Sequence, residues 1–118
     1  MGYNAQLNDS VSGVCLEAQE KHQMAGSVFV SGGTKDLELD FTFNYSRIFE
    51  RVLGTGGIKN IYGMTGADTA PVLEYAARRL KDNTNKDHWK PTQGNAKRVL
   101  LQLATMSRMR PDGVWCIH

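Results

Sequence analysis

Residues 27–43 read SVFVSGGTKDLELDFTF, and the period of this stretch decides the fold class. Val28 and Val30 alternate with Phe29, and Leu37, Leu39, Phe41 and Phe43 alternate with Glu38, Asp40 and Thr42. Successive side chains of a strand point to opposite faces, so a period of two marks β structure with one buried face. Gly32-Gly33 supplies a turn, and the stretch predicts an antiparallel hairpin over 27–43 with Leu37, Leu39, Phe41 and Phe43 inward. Glu38 and Asp40 then lie on the wet face as solvated carboxylates, with no acid–base role implied.

C-terminal to the hairpin the period becomes helical. In NYSRIFERVLG (44–54), Asn44 or Ser46 caps a helix carrying Ile48, Phe49, Val52 and Leu53, and Gly54 stops it. GTGGIKNIYGMTG (54–66) is a glycine-rich connector holding Ile58, Ile61 and Tyr62. In ADTAPVLEYAARRLKDN (67–83), Asp68 or Thr69 caps a helix with Pro71 in its first turn and Val72, Leu73, Ala76, Ala77 and Leu80 inward. After a polar loop at 81–90, Thr92 or Asn95 caps a last helix that buries Val99, Leu100, Leu103 and Met106, with Met109 at its margin. Pro111 ends it, Asp112-Gly113 turns, and VWCI (114–117) is a short strand placed to join the hairpin. N-terminal to the hairpin, Val11, Val14, Cys15, Ala18 and His22 share a helical face, entered at Asp9 or Ser10 and closed near Gly26. Gly13 inside it argues against a helix, and an irregular or strand start is the rival reading. The sum is one α+β domain over 1–118: a small antiparallel sheet, made of the hairpin and a short C-terminal strand, packed against three to four helices.

With 118 residues, 41% of them hydrophobic, the chain is sized for one core. No apolar run reaches the ~18–20 residues that cross a bilayer. The N-terminus lacks a signal-peptide pattern, and Gln6 stands where myristoylation after Gly2 wants Ser or Thr. Cys15 and Cys116, near opposite ends, read as reduced thiols, and the expectation is a soluble cytoplasmic protein without membrane association. Charge is segregated: residues 1–77 carry five Lys/Arg against nine Asp/Glu, while 78–110 carry nine against two. Such asymmetry points either to an anionic partner or to a solvated helical face.

Catalytic and metal motifs find little support. GTGGIKN (54–60) fits neither GxxxxGK[ST] nor GxGxxG and follows a helix, so Gly54 reads as a C-cap and Gly56-Gly57 as a reversal. Cys15 with His22, and Cys116 with His118, lack the spacing of a structural zinc site. No GxSxG elbow or cysteine motif places a nucleophile. No catalytic residue, metal or cofactor is expected.

One stretch keeps a functional reading: HWKPTQGNAKRVLLQL (88–103). A helix start leaves backbone N–H groups unpaired and carries about half a positive charge, so it can receive an anion. Trp89 offers a stacking surface, Gly94 permits close backbone approach, and Lys97 and Arg98 add charge where the helix dipole disfavours cations. The expected contact residues are Trp89, Lys90, Thr92, Asn95, Lys97 and Arg98. The competing reading has Trp89 packed beneath the helix and both cations in water.

The blocks FNYSRIFERVLG, GIKNIYGMTGADTAPVLE and HWKPTQGNAKRVLLQLATMSRMRPDGVW together resemble a group of small proteins encoded in bacteriophage and prophage genomes. Its pattern is an Asn-containing strand end leading into a helix, then W-x-(P/A)-T-x-G-N-A-K-R and a closing R-P-D-G-V-W. The resemblance spans roughly residues 41–115. It implies phage or prophage origin and brings no catalytic residues. The expectation is a non-enzymatic binding protein, a counter-defence inhibitor or nucleotide-sequestering protein, whose partner is a host protein, a nucleotide or a nucleic acid. The alternative is a phage structural or assembly accessory. A homodimer is expected, since pairing sheet edges across a two-fold axis covers them.

Overall fold

In the computed structural model, residues 2–26 and 29–118 are described, 29 and 30 by their backbone alone. Val28 lies outside these residues. The order is β1 (Gly2–Asn8), β2 (Glu17–Met24), β3 (Phe29–Asp36), β4 (Glu38–Thr42), α1 (Ser46–Leu53), α2 (Gly66–Arg78), α3 (Gln93–Met109) and β5 (Val114–Ile117). The α+β class is as expected, but the strands pair differently from the predicted hairpin. β1 is the centre of a three-stranded antiparallel sheet in the order β4-β1-β5, and β2 pairs with β3 in a separate two-stranded ribbon.

The 27–43 stretch therefore contains two strands, as its alternation indicates, but they do not pair with each other. Gly32 and Gly33, both near φ 80°, lie within β3 as part of an irregular stretch of its pairing with β2; they make no turn. The chain changes sheets at Leu37. There three buried leucines close a ring of backbone bonds: Leu7 N–H donates to Leu37 O, Leu37 N–H to Leu16 O, and Leu16 N–H to Leu7 O. Leu37, Leu39 and Phe41 are buried as predicted, while Phe43 stays 42% exposed and meets Tyr3 edge-on at 4.6 Å.

The predicted first helix is absent. Asp9 Oδ1 accepts from the N–H groups of Val11 and Ser12, and Gly13 at φ 74° completes a tight loop between β1 and β2. Val11 (94% exposed) and Val14 (65%) sit on that loop, so their helical spacing with Ala18 was coincidental.

The three helices lie where the sequence puts them, but neither Asn44 nor Ser46 caps α1: Asn44 donates to Trp89 O, Ser46 Oγ donates to Phe43 O, and no side chain caps the helix start. α1 ends at Gly54, whose N–H reaches Glu50 O. Gly56 and Gly57 have positive φ, and Ile58 and Ile61 are buried, whereas Tyr62 is exposed. α2 is capped one turn earlier than expected, by Thr65 on the Asp68 N–H, and its Val72 faces out. Pro111 O and Gly113 O accept from Ala67 and Gly66, which closes the start of α2 with the chain's own turn. α3 packs along α2 and over the sheet, where the buried Trp115 donates its indole N–H to Ser107 Oγ at 2.9 Å. Both edges of the three-stranded sheet meet chain: Gly63 and Met64 bond Trp115 beyond β5, and Ala25 O takes the Asp40 N–H beyond β4. Among the described residues no helix is long and apolar enough to cross a membrane.

Candidate anion-binding site

The segment 85–95 is built around one amide. Thr92 caps α3, its hydroxyl accepting from Asn95 N–H at 3.1 Å. The Asn95 side chain is fully buried: Oδ1 accepts from Asn85 N–H at 3.0 Å, and Nδ2 donates to Asp87 O at 3.3 Å and Lys90 O at 3.1 Å. The loop is also tied to itself, with Asn85 Oδ1 on Asp87 N–H and Asp87 Oδ1 on Trp89 N–H. From α1's approach, Asn44 Nδ2 donates to Trp89 O at 2.8 Å and the Tyr45 hydroxyl donates to His88 O. The backbone from 85 to 90 is thus held at nearly every residue. On it Trp89 stands 48% exposed, its ring tilted beside His88 at 5.1 Å, with Lys86 and Lys90 exposed on either side.

The six candidate residues consequently fall into three groups. Trp89 and Lys90 face solvent on the pinned loop. Thr92 and Asn95 are the framework beneath it, their side chains occupied by backbone partners. Lys97 and Arg98 belong to the neighbouring face of α3. Because Gln93 is the first helical residue, these two cations stand in the second turn, past the range of the dipole, so their predicted conflict with it does not arise. Gly94 does admit a close backbone, but that backbone is the chain's own: a Cβ there would lie 2.6 Å from Asn83 C and Thr84 N.

Lys97 Nζ meets Asp82 Oδ1 at 2.7 Å, Arg108 pairs with Glu74, and Arg110 with Asp112. The Arg108 guanidinium holds the Glu74 carboxyl below the ordinary range, and Arg110 does the same for Asp112. Arg78, Arg79, Lys81, Lys86, Lys90 and Arg98 form no ion pair among the described residues. At the carboxyl end of α2, Arg78, Arg79 and Lys81 complement the helix dipole, so the solvated-face reading accounts for them. It gives no such account of Lys86, Lys90 and Arg98.

A groove of about 410 Å³ runs along α3, lined by Gly94, Lys97, Arg98, Leu101, Gln102 and Thr105, with Met24, Asp82 and Thr84 opposite. Sequence reading missed it, since Met24 arrives from the end of β2 and nothing local links that residue to α3. Asn44 and Tyr45 were missed as supports of the Trp89 loop for the same reason. The Asn85/Asp87 spacing, typical of side chains that bond backbone two residues on, was the available signal for a fixed loop.

Both cysteines are free thiols. Burial raises the pKa of Cys15, whose Sγ points at the Leu16 and Leu37 carbonyls. His22 Nε2 lies 2.8 Å from Asp36 O, and no group of three or more His, Cys, Asp or Glu among the described residues is placed to hold a metal. Compared with protein-family models, curated proteins and solved structures, the chain gives no match.

Proposed function

We propose that the chain is a phage- or prophage-encoded, non-enzymatic binding protein that engages an anionic partner through the loop bearing Lys86, Trp89 and Lys90. A counter-defence inhibitor or a nucleotide-sequestering protein would work in this way. One observation carries the reading: a large exposed aromatic, flanked by lysines with no ion pair among the described residues, stands on a backbone held by Asn95, Asn44 and Tyr45. A pre-ordered loop loses little conformational freedom on binding, and Trp is the residue most enriched at binding hot spots. Stacking on an exposed ring contributes about 1–3 kcal/mol per base, and lysines nearby add a salt-dependent attraction to phosphate. The phage origin rests on the sequence blocks alone.

The test uses labelled oligothymidylate, with polyglutamate as a carboxylate polyanion for comparison. Trp89→Ala and Lys86→Glu/Lys90→Glu are expected to weaken binding of the preferred polyanion at least tenfold with melting temperatures nearly unchanged. Binding that persists in both variants overturns the reading.

A further inference from the structure

The groove along α3 shares no lining residue with the Trp89 loop, and its chemistry differs. Arg98 lines it half-buried, with no hydrogen-bond or ion-pair partner among the described residues. Beside it Lys97 holds Asp82, a carboxylate whose side chain is 89% exposed. Such a pair is weak and is readily exchanged for a doubly charged anion. The Gly26 N–H donates to Gln102 Oε1 at 3.0 Å, which fixes the amide and leaves its NH2 as a donor beside the groove. Thr84 contributes a hydroxyl with no partner among the described residues. Leu101, 43% exposed, and Met24 supply the apolar wall. A volume of about 410 Å³ falls within the ~300–1,000 Å³ span of small-molecule sites. Cations at one end, an apolar wall and a fixed amide donor make a site for a phosphate joined to a planar, hydrogen-bonding body.

We propose that this groove binds a nucleoside monophosphate, the phosphate on Arg98 and Lys97 and the base between Leu101 and Met24 with the Gln102 amide at its edge. Asp82 is the resident competitor for Lys97, released when the phosphate arrives. The proposal is independent of the Trp89 loop and concerns a second, smaller anionic ligand.

Calorimetric titration of the full chain with AMP, UMP and inorganic phosphate tests it. The expected result is saturable binding of a nucleotide that weakens with salt, with inorganic phosphate at least tenfold weaker. Arg98→Ala and Leu101→Trp, the second filling the groove without touching a cation, should each weaken nucleotide binding tenfold or more. Asp82→Asn should tighten it severalfold. Thermal melts of each variant separate loss of ligand from loss of fold. No nucleotide binding at millimolar concentration overturns the proposal, as does binding that survives both Arg98→Ala and Leu101→Trp, or inorganic phosphate binding as well as AMP. The same proteins titrated with oligothymidylate and polyglutamate keep the two readings apart: a polyanion bound without nucleotide removes the groove alone, and nucleotide bound with neither polyanion removes the loop reading alone.

Discussion

Asn95 has no solvent exposure, and its amide joins three backbone groups of a loop to the first turn of α3. Replacing it by Ala strands the Asn85 N–H and the Asp87 and Lys90 carbonyls, partly beyond the reach of water. Leaving buried polar groups unpaired costs about 1–3 kcal/mol. Asn95→Ala is therefore expected to lower stability by about 2–3 kcal/mol in urea unfolding and to loosen Trp89, seen as faster iodide quenching of its fluorescence. A loss under 0.5 kcal/mol would mean the loop is held without it. This residue also marks the limit of what the sequence discloses. Its place at a helix start made it legible as a cap or contact, and Thr92 is indeed the cap. That Asn95 faces inward depends on loop 83–90 folding back over Gly94, a tertiary fact with no local period. Trp89 is the converse case, since a staple beneath the helix and an exposed ring have the same sequence and only the loop's path separates them.

At the scale of elements, α1, α2, α3 and β5 were legible because each carries its own punctuation: Gly54, the apolar spacing after Pro71, Thr92, Pro111 and Gly113, although the cap of α2 is Thr65 and not the expected Asp68 or Thr69. β1 was not, because GYNAQLN shows only a short alternation of Tyr3, Ala5 and Leu7, and its strand character comes from β4 and β5 on either side. Alternation located β3 and β4 but could not say that Leu37 switches sheets, since pairing is decided by distant segments. The homodimer expected from the sequence stays a proposal, and the β2–β3 ribbon is the edge it would use. Two strands alone are marginal, and unlike the three-stranded sheet the ribbon has no third strand hydrogen-bonded to it among the described residues. Amide exchange in 17–24 and 31–36 is predicted to slow as protein concentration rises through the dimerisation range, while exchange in α3 stays constant. Concentration-independent exchange in the ribbon contradicts pairing there.

Over the whole molecule the charges are unevenly placed along the chain. Glu17, Glu20, Asp36, Glu38 and Asp40 lie on the strands β2, β3 and β4, and Asn4 Nδ2 bridges Glu38 and Asp40 at 2.6 and 2.8 Å. Seven of the fourteen cations, Arg78, Arg79, Lys81, Lys86, Lys90, Lys97 and Arg98, fall between the end of α2 and the second turn of α3, the segment that carries Trp89. A local excess of cations attracts an approaching anion before contact, and its effect fades with ionic strength. The central claim is that Trp89 and its lysines meet that anion. Trp115 is fully buried, so Trp89 is the tryptophan a ligand can reach. The most direct measurement is tryptophan fluorescence during oligothymidylate titration at several salt concentrations, for the parent chain and Trp89→Phe. The account predicts quenching that is lost in Trp89→Phe and an affinity that falls steeply as salt rises. Binding without quenching, or an affinity indifferent to salt, would contradict it.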